Sequence, residues 1–137
     1  MGLILDSSVA ITAERKGATV EQLLRQIFAL TGNQEALLPT VALVELAHGI
    51  HRANTPQIRA RREAFIMELL DDVPAYPLTQ EIALIAGKID AEQQSKGAKI
   101  PFQDLLLGAT ALTLGYAVVT GNARHFQMLP GLLVTQL

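Results

Sequence analysis

The sequence predicts an α/β fold, in which a short, mostly parallel central β-sheet is flanked by α-helices on both faces. Two observations carry this prediction. Short apolar runs of strand length alternate along the chain with longer segments of helical periodicity. The runs are apolar at successive positions, which is typical of strands buried on both faces. With 137 residues and no repeat or linker, the chain is expected to be a single domain spanning 1–137.

The strand candidates are short and evenly distributed along the chain. They are residues 3–5, 36–38, 73–78, 115–120 and 132–134. Pro74 and Pro77 fall inside the third run, and proline cannot donate a hydrogen bond to a neighbouring strand. This run is therefore expected at the edge of the sheet or as a very short strand. Residues 121–126 are predicted to form a loop that begins where the fourth strand ends.

Capping residues mark the starts of the predicted helices. The helices are expected over residues 9–11, 19–30, 41–51, 55–69, 79–97 and 101–114. Ser7 or Ser8 can cap the first of them. Thr19 followed by Gln22 has the spacing of a capping box. Gly115 can close the last helix in a left-handed conformation.

Composition excludes several classes of function. Half of the residues are apolar and 18% are charged, which predicts an ordered globular chain. No apolar run reaches the roughly 18 residues of a membrane span, and the N-terminus lacks the pattern of a signal peptide. Because the chain has no cysteine, disulfides, thiolate metal sites and thiol catalysis are excluded. A reducing cytoplasm is the expected compartment.

The net charge of −2 does not decide whether the partner is a nucleic acid. The distribution of charge is more informative. Four arginines fall within eleven residues, at Arg52, Arg59, Arg61 and Arg62. They predict either a contact with a phosphate backbone or an ordinary solvated helix face.

Three acidic residues interrupt apolar stretches. Asp6 follows the first strand, Glu45 lies one turn into the third helix, and Asp104 lies in the first turn of a helix that is apolar on nearly all faces. Asp6 and Asp104 could each be a helix-capping carboxylate. If their elements are neighbours, however, the three carboxylates converge at one edge of the sheet and need a cation between them. Oxygen ligands without cysteine favour magnesium or manganese.

Four segments occur together in one order along the chain. Leu5-Asp6-Ser7-Ser8 ends the first strand, Val44-Glu45-Leu46 lies in a helix, and residues 102–111 and 119–126 follow. Together they closely resemble the PIN-domain ribonucleases, and among these the VapC-type toxins of toxin–antitoxin pairs. The resemblance covers essentially the whole chain.

The resemblance implies a PIN-like fold and a Mg²⁺-dependent endoribonuclease, with Mn²⁺ as a substitute ion. It also implies an RNA substrate, a cognate antitoxin that blocks the site, and commonly a homodimer. The family's acids carry over onto Asp6, Glu45 and Asp104, whereas its fourth acidic position is Asn122 here. Three carboxylates and an amide carry one less negative charge, which favours a single well-occupied magnesium site over a two-metal site.

The roles implied for individual residues follow from metal-assisted hydrolysis of a phosphodiester. Asp6 and Asp104 would hold the ion, with Glu45 binding it directly or through water. Thr120 and Asn122 would orient the attacking water or a phosphate oxygen, and Ser8 would do likewise. Arg124 is a candidate for a phosphate contact, although a surface salt bridge fits it equally well.

Two alternatives come from other functional classes. One is a phosphoryl-accepting α/β domain that uses Asp6. It is disfavoured because no second acid lies beside Asp6 and no lysine follows Lys99. The other is a PIN fold without catalysis that serves as a binding module for RNA or protein. Loss of one of the three acids would indicate it, and all three are present.

Overall fold

The structure, a computed structural model, describes residues 1–137. It contains five strands, six α-helices and one 3-10 turn. In chain order these are β1 (Gly2–Leu5), α1 (Ser7–Arg15), α2 (Val20–Thr31), β2 (Glu35–Pro39), α3 (Thr40–His51), α4 (Pro56–Asp72), β3 (Ala75–Tyr76), α5 (Gln80–Ser95), α6 (Phe102–Leu114), β4 (Ala117–Thr120), the 3-10 turn (Ala123–Phe126) and β5 (Val134–Gln136).

The sheet confirms the predicted fold class and is wholly parallel. Its strand order is β3-β2-β1-β4-β5, and Leu3 on β1 pairs with Ala36 on β2 and with Ala117 on β4. The proline-flanked β3 is a two-residue strand at the edge, as predicted. For this strand order, the right-handed rule for parallel crossovers puts α1 to α4 on one face and α5 and α6 on the other.

This strand order creates a topological switch point between β1 and β4. The connection leaving β1 runs toward β2, whereas β5 follows β4 on the other side. In open parallel sheets, ligands bind in the crevice at the carboxyl ends of two such strands. The residues that follow β1 and β4 are therefore the first place to look for a site.

The core is formed by 32 buried hydrophobic side chains. All four residues of β1 are buried, and α6 buries seven consecutive residues from Leu105 to Ala111. The capping predictions for Thr19 and Gly115 are confirmed, since Thr19 forms a capping box with Gln22 and Gly115 has a φ of 72°. None of the helices has both the length and the apolar character required to cross a membrane.

Several details differ from the sequence predictions. The first helix, expected over residues 9–11, spans Ser7–Arg15, and the fourth strand begins at Ala117 because Gly115 ends α6. β5 begins at Val134, because Val134 pairs with Val118 in the register set by β4. The segment predicted as a loop after β4 contains the 3-10 turn. The N-cap of α1 is Asp6, not Ser7 or Ser8, yet the Asp6 side chain makes no capping hydrogen bond. Its carboxylate is engaged elsewhere, as described below.

An ion-pair cluster joins three helices away from the sheet. Glu14, in the last turns of α1, is 7% exposed and accepts a hydrogen bond of 3.1 Å from Arg62 Nε on α4. Arg62 Nη1 also donates to the backbone oxygen of Gly49 on α3 at 2.8 Å. Arg61 Nε lies 3.4 Å from the other Glu14 oxygen. Two of the four clustered arginines are therefore paired within the chain.

Candidate active site

Asp6 lies at the switch point, directly after β1, and is 8% exposed. Its backbone N–H donates to Val119 on β4, so the ends of both strands are held together. The Ser8 hydroxyl donates to Asp6 Oδ2 at 2.8 Å, and the Thr120 hydroxyl donates to the same oxygen at 2.7 Å. No hydrogen bond reaches Asp6 Oδ1, and this atom is not among the buried unpaired ones. One oxygen of the carboxylate is thus held and the other is open.

The two hydroxyls are themselves fixed by the backbone after β4. Ser8 Oγ accepts from the Gly121 N–H at 2.9 Å, and Thr120 Oγ1 accepts from the Asn122 N–H at 3.0 Å. Thr120 is fully buried. Both hydroxyl protons point at Asp6 in this structure, so the direct effect of Ser8 and Thr120 is to orient that carboxylate.

Asp104 lies in the first turn of α6 with a side chain that is 14% exposed. Burial raises the pKa of this carboxyl above its ordinary value, because desolvation disfavours the charged form. His125 acts in the opposite direction, and the negative charges of Asp6 and Glu45 raise the pKa further. The negative charges of Asp6 and Glu45 therefore both act on Asp104.

Glu45 differs from its sequence prediction, because it is exposed and not surrounded by apolar side chains. The buried face of α3 consists of Ala42, Leu46 and Ile50, and even Val44 beside Glu45 is 69% exposed. Glu45 Oε2 accepts hydrogen bonds from the Ser7 hydroxyl, at 2.8 Å, and from the Gln103 amide. These bonds tie α3 to the first residues of α1 and α6.

Asn122 and Arg124 lie beyond the end of β4, and both are exposed. Asn122 Nδ2 forms a hydrogen bond of 2.9 Å with His125 Nε2. His125 Nδ1 in turn lies 3.3 Å from Asp104 Oδ2. Arg124 forms neither an ion pair nor a side-chain hydrogen bond, so its guanidinium is free to meet a ligand.

Sequence reasoning did not identify Ser7, Gln103 or His125 as site residues. Each has a signal that could have found it. Ser7 and Gln103 are polar neighbours of Asp6 and Asp104 in otherwise apolar stretches. His125 follows Asn122 by three residues, which is the spacing that brings two side chains together on a 3-10 turn.

The side chains as they stand do not form a group of three His, Asp or Glu residues close enough to hold a metal ion. Glu45 Oε2 is held by Ser7 and Gln103. The structure brings Asp6, Ser8, Thr120, Asn122 and Asp104 to one edge, with Glu45 beside them. The joint binding of an ion by three acids stays a prediction.

Comparison with known proteins places this chain in a family. The family model described as PIN domain matches residues 3–131. Ribonuclease VapC from Rickettsia bellii is 30% identical over 98% of this chain and 95% of its own length. The tRNA(fMet)-specific endonuclease VapC from Salmonella typhimurium is 25% identical over 81% of each chain.

Solved structures agree with this family at the level of the fold. A crystal structure of VapBC2 from Rickettsia felis bound to a promoter DNA fragment superimposes with a TM-score of 0.86 at 19% identity, covering 100% of this chain and 99% of the other. DNA-bound VapBC from Salmonella typhimurium gives a TM-score of 0.83 at 22% identity, covering 99% and 98%. The chain belongs to the PIN-domain family and, within it, to the VapC ribonucleases.

Proposed function

We propose that this chain is a magnesium-dependent endoribonuclease that hydrolyses RNA phosphodiesters and acts as the toxin of a VapBC-type pair. The observation that carries the proposal is the state of Asp6. Asp6 is a buried carboxylate at the switch point. It accepts side-chain hydrogen bonds only from neutral hydroxyl groups, and it takes part in no ion pair. Burying a carboxylate is costly unless hydrogen bonds or a nearby positive charge compensate it, and a cation at the open Oδ1 would supply that charge.

The donor set fits Mg²⁺, with Mn²⁺ as a substitute. The candidate ligands are carboxylate oxygens of Asp6 and Asp104, with Glu45 binding directly or through water, and hard oxygen donors suit these ions. The raised pKa of Asp104, to which Asp6 and Glu45 contribute, supports the need for an external positive charge. Asn122 in place of a fourth acid favours one ion over two.

Each residue of the site then has a role that its contacts support. When bound, the ion would activate a water molecule and neutralise charge on the phosphate. Ser8 and Thr120 hold Asp6 Oδ2, so that Oδ1 faces outward. Asn122 offers a side-chain oxygen for orienting water or a phosphate oxygen. The unpaired Arg124 is available to contact a flanking phosphate.

A cleavage assay tests the nuclease. Purified protein is incubated with a labelled RNA in magnesium, in manganese and in EDTA, beside Asp6→Asn and the control Asp71→Asn, which changes an exposed acid on α4. We expect internal cuts that need the ion, survive in Asp71→Asn and disappear in Asp6→Asn. Cleavage that is equal in EDTA would overturn the metal role. RNA binding without any cleavage would instead indicate an inactive binding module.

The toxin assignment is tested separately by partner binding. Several structural relatives are named as VapBC complexes, which supports a cognate antitoxin as partner. The proposal adds that the antitoxin covers this site and that the toxin is a homodimer. The small protein encoded beside this one should form a complex with it, abolish RNA cleavage and restore growth arrested by expression of the chain. Two relatives are named tRNA(fMet)-specific endonucleases, so transfer RNA is the first substrate class to assay.

A further inference from the structure

His125 lies between two residues of the proposed site and has no role in the function proposed so far. Its Nε2 forms a hydrogen bond of 2.9 Å with Asn122 Nδ2, and its Nδ1 lies 3.3 Å from Asp104 Oδ2. Each ring nitrogen therefore faces a different partner. The ring spans from the turn after β4 to the first turn of α6.

The chemistry of the two partners determines where the ring carries its proton. The side-chain nitrogen of an asparagine can only donate, so in the neutral ring His125 Nε2 accepts from Asn122. In the neutral ring the proton then sits on Nδ1, the nitrogen that faces the carboxylate of Asp104. Asn122 therefore offers a donor to the accepting ring nitrogen, and Asp104 offers an acceptor to the protonated one.

This arrangement also determines which way the Asn122 amide faces. Since its nitrogen is directed at His125, its carbonyl oxygen is directed away from the ring. An asparagine can contribute to an oxygen-lined site only through that oxygen. Without His125 the amide could rotate by half a turn and present its nitrogen, a donor that a cation repels.

The backbone around His125 is firmly held. The neighbouring Phe126 is 1% exposed. Leu129, just beyond, packs so closely on Gly108 of α6 that an added Cβ would lie 2.5 Å from a Leu129 methyl. Gln136 accepts from the Ala123 N–H at 2.8 Å and donates to the Gly121 oxygen at 2.7 Å. The turn is thus clamped against α6, next to Asp104.

We propose that His125 is a positioning residue, which fixes the amide of Asn122 and the carboxylate of Asp104 so that both turn oxygen atoms toward the ion. The proposal rests on the proposed function and adds a residue to it. Residues that hydrogen-bond to metal ligands orient them and typically change metal affinity by about tenfold to a hundredfold when removed. His125 contacts two candidate site residues at once, which places it in that class.

A double-mutant cycle on ion affinity tests this. Manganese affinity is measured by calorimetry on the full chain, for the parent, His125→Ala, Asn122→Ala and the double variant. We expect His125→Ala to weaken binding by about tenfold. In the Asn122→Ala background, the same change should weaken binding by a smaller factor, because one of its two partners is gone. His125→Gln should recover part of the loss, since its side-chain oxygen can still accept from Asn122.

The control is His51→Ala, which removes an exposed imidazole at the end of α3. It should leave manganese affinity and the melting temperature unchanged. Equal losses from His125→Ala in both backgrounds would overturn the proposal. So would unchanged ion affinity together with a raised KM for RNA, which would mark His125 as a phosphate contact. A parent that binds no manganese and cuts no RNA would remove the proposed function itself, and this inference with it.

Discussion

Two buried carboxylates stand at opposite ends of α1, and their surroundings differ in kind. Asp6 precedes the helix and Glu14 lies near its end, with 8% and 7% of their surfaces exposed. Glu14 faces two guanidinium groups, from Arg61 and Arg62. Asp6 faces two hydroxyls and belongs to no ion pair. The two carboxylates are almost equally buried, but only Glu14 is paired with positively charged side chains.

On the proposed function, the difference separates a structural acid from a functional one. Glu14 has its counter-charges within the chain, and Arg62 extends the contact to the backbone of α3. The cluster thereby fixes α1, α3 and α4 together. Asp6 is oriented but not neutralised, and the nearby acids repel it. On the proposed function, such a group would bind a cation that the chain does not supply.

The largest expected effect comes from Asp6→Asn. The asparagine oxygen can still accept both hydroxyl protons, so the free energy of unfolding should change by no more than about 1 kcal/mol. Loss of the charged ligand should remove several kcal/mol of transition-state stabilisation, which lowers RNA cleavage roughly a thousandfold. Single-turnover cleavage and urea unfolding measure the two quantities. A variant that unfolds readily while the folded fraction still cuts RNA would reverse the roles assigned to Asp6 and Glu14.

Breaking the Glu14 cluster should affect stability instead. Arg62→Met leaves the buried Glu14 with Arg61 alone, and removal of one partner from a buried ion pair costs about 3 kcal/mol. Urea unfolding measures the loss, with Arg59→Met as the exposed control. At temperatures well below its melting temperature, Arg62→Met should still cleave RNA, because Asp6 and Asp104 are unchanged. Unchanged stability would show that the cluster contributes nothing to the fold.

The stability of the metal-free protein should depend on pH through Asp104, a second acid of the proposed site without a permanent counter-charge. Its pKa is raised above the ordinary 3.8, mainly by burial, so the folded protein binds this proton more tightly than the unfolded chain does. The resulting stability is present below pH 3.8 and is lost as the pH rises through the raised pKa. In EDTA, Asp104→Asn should remove this decline. A parallel decline in parent and variant would assign it to another group.

The smallest expected effect concerns Arg124. Because it is unpaired and exposed, Arg124→Ala should weaken RNA binding a few-fold at low salt and reduce the salt dependence by about one phosphate contact. Ion affinity should not change. Binding isotherms at several salt concentrations measure this, with exposed Arg25, which pairs with Glu21, substituted as the control. An unchanged salt slope would make Arg124 ordinary solvated surface.

The sequence was sufficient for the fold because local patterns determine its elements. Continuous apolar runs predicted the parallel strands, and Thr19, Thr55 and Thr79 marked helix starts that the structure confirms through their side-chain bonds. The apolar α6 made Asp104 conspicuous. These signals depend on neighbours in sequence, which a single chain displays directly.

The rest required contacts between distant segments. The buried ion pairs of Glu14 could not be predicted, because its arginine partners lie 47 and 48 positions away on α4. Glu45 was expected to be buried, because it lies among apolar residues such as Val44. In the structure, however, Val44 itself faces solvent. The tie between Asp6 and Thr120 spans 114 positions. Burial and pairing of charges are set by tertiary packing, and no local pattern reports them.

The most direct test of the metal-nuclease account is the thermal melt of parent and Asp104→Asn in EDTA and in increasing magnesium. The parent should gain stability in proportion to the logarithm of ion concentration, reaching about 2.7 kcal/mol at a hundred times Kd. Asp104→Asn should match or exceed the parent in EDTA, because it removes a repelling charge, and should gain little from magnesium. If the variant instead loses several kcal/mol in EDTA while magnesium stabilises neither protein, Asp104 supports the fold and does not bind an ion, which would contradict the proposed metal nuclease.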